Sequence, residues 1–161
     1  MPTEFLRDVS LFKDLTEGEL DAIKHLWATR IVAPRERIIR EGGVMHEFSV
    51  VCTGTVHVRR LSQDHEVLLA RITPGGFFGE MNLYDESTAT ASVYAMGEVR
   101  LAVISNHTFR GFMASRPDIG YKIVSRLLAE VSRRLRHTNE RLVHSMFWPS
   151  GTPGEEFARG E

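Results

Sequence analysis

The chain has a single cysteine, Cys52, in 161 residues. That excludes a disulfide framework within the chain and suits a reducing compartment. No apolar run approaches the eighteen residues a membrane-crossing helix needs, and no basic start leads into an apolar stretch. We therefore expect neither a transmembrane span nor a signal peptide, and a cytoplasmic location. Net charge is almost absent: 20 Lys and Arg stand against 21 Asp and Glu, which gives no electrostatic pointer to nucleic acid. Internal repeats and low-complexity tracts are lacking. The seven histidines, at positions 25, 46, 57, 65, 107, 137 and 144, show no metal-ligand spacing, so no metal is expected. No nucleophile–base–acid arrangement and no nucleotide-hydrolysing loop is legible, so no catalytic residue is assigned and an enzyme is not expected.

What remains is enough chain for one domain with a real core and an appended helix. Residues 10–27 carry a helical pattern. Leu11 and Phe12 lead into Thr16-Glu17-Gly18-Glu19, a capping box, and Leu20, Ile23, Leu26 and Trp27 recur at helical spacing. From Ala28 to Ser105 short β-prone runs alternate with turn residues at intervals of roughly ten. The runs are 30–32, 37–40, 48–52, 55–61, 67–72, 89–95 and 99–104. Pro34, Gly42-Gly43, Gly54, Gly75-Gly76 and Gly97 punctuate them. Such spacing predicts a small barrel or jelly roll. Beyond Ser105 the chain turns helical: Asn106 is expected to cap a helix over 107–114, and a long helix is expected across 116–145. There Val124, Leu128, Val131, Leu135 and Leu142, with Thr138 between the last two, are spaced as a heptad seam, which points to a parallel two-stranded homodimer. Residues 147–161, with three glycines and two prolines, read as a flexible tail, or as an aromatic lid rooted at Phe147-Trp148-Pro149. The expected architecture is thus α+β and mainly β: a roll of about eight strands, an N-terminal helix and a long C-terminal dimerisation helix, with 1–145 as the domain.

One stretch concentrates the chemistry. Thr73-Pro74-Gly75-Gly76-Phe77-Phe78-Gly79-Glu80-Met81-Asn82-Leu83 puts three glycines in five positions, where the backbone can turn tightly and approach a ligand. A short acidic loop and the run Ala89-Thr90-Ala91-Ser92-Val93 follow. With the order of Gly42-Gly43 and Gly54 before it, this stretch resembles the phosphate-binding cassette of the cyclic nucleotide-binding domain family, and the resemblance extends over about 10–145. It implies a cyclic nucleotide (cAMP or cGMP) as effector, held by Phe78, Gly79, Glu80, Met81, Asn82 and Leu83 on one arm and Ala89, Thr90, Ala91 and Ser92 on the other. Glu80 would accept from the ribose hydroxyl, and the N–H groups of Gly79, Asn82 and Leu83 would face the phosphate, with the hydroxyl of Ser92 or Thr90 as a further donor. The family's phosphate-binding Arg should fall near Ala89 or Thr90, yet there is no Arg or Lys from Ile72 to Val99.

The 133–142 segment is similar to the long helix of catabolite activator-like regulators, which implies purine contacts from Thr138 and Asn139. The bland alternative is a register-setting Thr138 and a solvated Asn139. Those regulators continue into a helix-turn-helix domain. Here about fifteen residues follow the helix, so direct DNA binding is not expected. Three functions are compatible with these features: a cyclic nucleotide sensor, a relative that senses another small molecule, and a ligand-independent dimeric scaffold for an unidentified partner protein.

Overall fold

A strand whose successive residues are all buried must have both faces covered. Glu47–Thr53 is such a strand: Phe48, Ser49, Val50 and Val51 are all buried. It is the middle layer of the fold seen in the computed structural model, which describes residues 3–62, 65–85 and 87–147. Eight strands are described: β1 (Ala28–Val32), β2 (Arg37–Ile39), β3 (Glu47–Thr53), β4 (Val56–Ser62), β5 (His65–Ile72), β6 (Phe77–Phe78), β7 (Ser92–Ala95) and β8 (Val99–Ser105). They form two four-stranded antiparallel sheets, ordered β1-β8-β3-β6 and β2-β7-β4-β5. The expected α+β roll is therefore present. Strand β6 is the one absent from the sequence runs, because two residues inside a glycine-rich turn carry no periodicity.

Each face of β3 and β8 belongs to a different core. Val51, Leu101 and Val103 meet Val32, Val56, Ile72, Phe78 and Val93 between the sheets. Phe48, Val50, Ala102 and Ile104 look outward onto the helices. Burial on that outer side is strongly aromatic. Phe48 lies 5.2 Å from Phe109 and 5.4 Å from Phe77, and Trp27 lies 5.7 Å from Phe109, centroid to centroid. Pairs in this range add about 0.5–1.5 kcal/mol beyond area burial.

The N-terminal region is more broken than one helical pattern suggests. It comprises α1 (Thr3–Asp8), a 3-10 turn over Ser10–Phe12, α2 (Glu17–Ile23) and a second 3-10 turn over Lys24–Leu26. The capping box forms as expected: the Thr16 N–H donates to Glu19 Oε2 at 2.7 Å, and the Glu19 N–H to Thr16 Oγ1. At the other end, α3 spans Asn106–Ser115 and is capped by Ser105, not Asn106. Ser105 has the extended backbone a cap requires, and its hydroxyl accepts from the Thr108 N–H at 3.0 Å. Asn106 is already helical, and its buried side chain points inward instead. There its amide donates to the carbonyl of Asn82 at 3.0 Å and of Met45 at 3.4 Å.

The long helix α4 (Pro117–Phe147) begins one residue later than expected and ends two later. Arg116, forced out of the helical region by the proline after it, fixes the start. The chain divides into two compact units, residues 1–127 and 128–161. In the first, Ile119, Ile123 and Leu127 bury one stripe of α4 in the helical core. In the second, Leu128, Leu135 and Leu142 are 66%, 59% and 57% exposed. The expected tail beyond Phe147, and the lid, lie outside the described residues.

Two outcomes follow from this packing. Arg126 holds the Asp14 carboxyl below its ordinary 3.8, and Lys122, at 2.8 Å, holds Glu19 below its ordinary 4.5. Both pairs thus stabilise the fold above the ordinary carboxylate range, and lose that contribution as pH falls through the lowered values. An Asp14→Asn, Glu19→Gln chain should show a flatter fall of melting temperature between about pH 5 and pH 3 than the native chain; parallel curves in scanning calorimetry would refute this. Asn106→Ala strands the Asn82 carbonyl but also removes Oδ1, which has no partner among the described residues. A loss of about 1–2 kcal/mol in urea unfolding is expected, and an unchanged midpoint would contradict it.

Candidate ligand-binding site in the glycine-rich turn

Gly79 sets the geometry of the site. It follows β6 with φ at +91°, a left-handed conformation that residues with side chains rarely adopt. A Cβ built there would sit 2.7 Å from the Glu47 carbonyl and 3.1 Å from Met45 Cε. The chain can therefore turn at this point only by pressing bare backbone against β3. Glu80 is delivered as the first residue of a 3-10 turn, Glu80–Asn82, and is half-buried.

The second arm is held as firmly. The Ala89 N–H donates to the Gly43 carbonyl, and the Gly42 N–H to the Ala89 carbonyl, both at 2.8 Å. Because Gly79 rests on Glu47 and Ala89 on Gly43, the 43–47 segment grips both ends of the cassette. Asn82 closes the loop between them: its amide donates to the carbonyls of Asp85 and Ser87. Across the arms, the Thr90 hydroxyl donates to the Met81 sulfur at 3.5 Å.

The cassette residues expected from sequence lie along the two arms of this loop, but several are already engaged. The Leu83 N–H, expected to face a phosphate, donates to the Glu80 carbonyl at 3.1 Å, as a 3-10 turn directs it. Ser92 is buried, and its oxygen accepts from the Glu41 N–H at 3.0 Å. Phe78 is buried opposite Ser49, while Met81 is exposed. Ala89 is 6% exposed and brings no charge to the place where the resemblance puts an arginine. Thr138 and Asn139 belong to the second unit. Both are exposed, and the Thr138 hydroxyl donates back to the Arg134 carbonyl at 2.9 Å.

A cavity of about 250 Å³ opens beside the 43–47 segment, lined by Arg30, Arg40, His46, Glu47 and neighbouring apolar groups. Of the expected ligand residues only Phe78 borders it. Sequence reasoning missed Glu41 and Arg60, which meet at the far end of the cassette. Glu41 Oε2 accepts from the Leu61 N–H at 3.1 Å, and Arg60 Nε lies 3.6 Å from Glu41 Oε1. Only one signal was available, the parity of Val56, Val58 and Arg60 on a strand. The same hairpin is basic on its other side: His57 is held below its usual value first by burial, then by Arg71 and Arg59.

The comparisons with known proteins agree with this geometry. A family model described as cyclic nucleotide-binding domain matches residues 29–116, from β1 through α3. Over 111 residues the chain is 31% identical to the CRP-like cAMP-activated global transcriptional regulator of Mycobacterium tuberculosis (strain ATCC 25618 / H37Rv), covering 68% of this chain and 48% of that protein. The chain thus spans about half the length of that relative, and less of others. The crystal structure of Thermus thermophilus catabolite activator protein is similar with a TM-score of 0.76 and 27% identity, covering 86% of this chain and 63% of that one. The N-terminal domain of a transcriptional regulator from Streptomyces coelicolor A3(2) gives a TM-score of 0.70 at 27% identity, covering 86% and 94%. A match over more than half of the chain, on a roll that presents its glycine-rich turn in this way, shows that the chain belongs to the cyclic nucleotide-binding domain family, whose members are regulatory modules and not enzymes.

Proposed function

We propose that the chain is a ligand-sensing module that binds a cyclic nucleotide, cAMP or cGMP, between the two arms of the cassette. The observation that carries this is the Gly79–Glu80 turn, in which a left-handed glycine braced on β3 presents a carboxylate at the start of a 3-10 turn. A carboxylate is a good acceptor for a ribose hydroxyl, and backbone N–H groups at such a turn suit a phosphate.

The missing arginine favours a second reading, in which the cassette takes a different small molecule. A charge-assisted bond to phosphate contributes roughly 1.5–3 kcal/mol, and Asp85 adds a like charge in the loop. Calorimetric titration with cAMP and cGMP separates the two. Native protein is expected to bind at micromolar strength or weaker, and Ala89→Arg to bind about tenfold to a few hundredfold more tightly. Silence from the native chain with binding by the variant would hand the site to another ligand. Silence from both would end the cyclic nucleotide proposal.

We also propose that the module is a homodimer through α4. Support comes from the apolar residues at heptad spacing, Val124, Leu128, Val131, Leu135 and Leu142, which are all exposed in the single chain while Ile119, Ile123 and Leu127 are buried on its roll. Ligand that prefers one position of the C-terminal helices would shift the dimer towards it, and a partner protein would read the change. Replacing Leu128 and Leu135 together by Asp sets like charges across a desolvated seam. Sedimentation is expected to show dimer for the native chain and monomer for the variant, and a dimeric variant would sink the coiled-coil assignment.

A further inference from the structure

A cation strengthens a phosphodiester site, and none lies between Ile72 and Val99. The strands beside the cassette offer one. On β4, Val56 and Val58 face the core between the sheets, opposite Ala95 and Val93 of β7. The ladder is regular through Arg59 and Ser92. Arg60 is the next residue along β4, at the end of the cassette's second arm: the following N–H, that of Leu61, leaves the ladder and donates to Oε2 of Glu41, whose own backbone N–H donates to Ser92 Oγ.

Its neighbour Arg59 is committed to the other face, paired with Glu66 at 3.1 Å and 5.8 Å from the Tyr94 ring centroid. Arg60 meets only Glu41 among the ion pairs of the described residues, and loosely: Nε stands 3.6 Å from Oε1, with the guanidinium side chain 61% exposed. Glu41 is pinned to the same spot by two backbone bonds. Its N–H donates to Ser92 Oγ, and its Oε2 accepts from the Leu61 N–H. The carboxylate thus occupies the position an anion would take beside Arg60 and the Leu61 N–H, at the end of the second arm. An exposed ion pair at this distance contributes little to stability, so a phosphate can replace the carboxylate at small cost.

We propose that Arg60 is the anion-binding cation of this site, delivered from β4 in place of an arginine in the cassette, and that Glu41 is a built-in competitor which holds it until ligand arrives. The ligand class is a cyclic nucleotide phosphodiester, and the assignment rests on the reading of the site given above. No covalent step is involved: the guanidinium and the Leu61 N–H change partner from carboxylate to phosphate.

The test is titration calorimetry with cAMP and with cGMP on the full chain and on Arg60→Ala, Arg60→Lys, Glu41→Gln and Ala89→Arg forms, with melting curves for each. Arg60→Ala is expected to weaken binding about ten- to hundredfold, with Arg60→Lys in between. Glu41→Gln is expected to tighten it several-fold, a gain that misfolding cannot imitate. Native-like affinity in a folded Arg60→Ala protein overturns the assignment and leaves the module reading intact. Binding by Ala89→Arg alone, with the native and Glu41→Gln forms silent, overturns the assignment and gives the site to a ligand other than a cyclic nucleotide. Silence from every form, Ala89→Arg included, overturns both.

Discussion

The contact on which the most depends is the approach of Gly79 to the carbonyl of Glu47. At 2.7 Å from the place a Cβ would occupy, this contact admits no side chain and no ordinary φ. It fixes where the cassette leaves β6, so it fixes where Glu80 stands. The same short segment then receives Ala89 through paired backbone bonds, and the Asn106 side chain through the Met45 carbonyl. A loop that holds both ends of a turn and the start of the following helix behaves as a clasp. Any displacement of one arm is felt by the other, and by α3, through backbone groups whose bonds have no spare length. Interiors packed this closely respond by switching between discrete arrangements more readily than by gradual deformation.

Electrostatics at this site departs from what an anion pocket ordinarily requires. Both arms are free of positive charge, and the 3-10 turn uses one of its own amides. The charges nearest the cassette's end sit on β4, where parity along the strand sorts them: odd positions serve the outer surface, with Glu66 and Tyr94, and even positions face inward. A single step along the strand thus separates an arginine paired with Glu66 from one paired with Glu41. In such a sheet a one-residue slip would exchange their tasks as well as invert the core.

Much of this was legible in the sequence. Gly79 and Glu80 announced the turn, Thr16 and Glu19 the start of α2, and the β-prone run over 55–61 the strand β4. What was not legible has physical causes. Strand β6 is too short to show a period. Asn106 looked like a cap because Asn caps helices well, and only tertiary structure reveals that Ser105 takes that place while Asn106 bridges two backbone segments across the core. The commitment of the Leu83 amide depends on a turn type that no residue specifies. The apolar run in β3 gave a strand without saying that two separate cores share it. Glu41 and Arg60 lie nineteen positions apart, and nothing local links them; their meeting is a product of the sheet order, in which β2 and β4 flank β7.

The pairing of β1 with β8 has a further consequence, for the order in which the molecule assembles. Ala28 faces Val103, and Val32 faces Val99, so the first strand finds its partner only after every intervening strand has been made. The hairpin of β4 and β5 can close locally and early, whereas the sheet containing β1, β3 and β8 demands closure of a long loop before its contacts repay the lost chain entropy. On the ribosome β1 must wait, unpaired, with its edge and the exposed Ile31 open to solvent. The cassette lies inside that same loop. Its clasp joins Glu47 to Gly79 across about thirty residues, so a chain that has formed only its helices and its β4–β5 hairpin still lacks the candidate site.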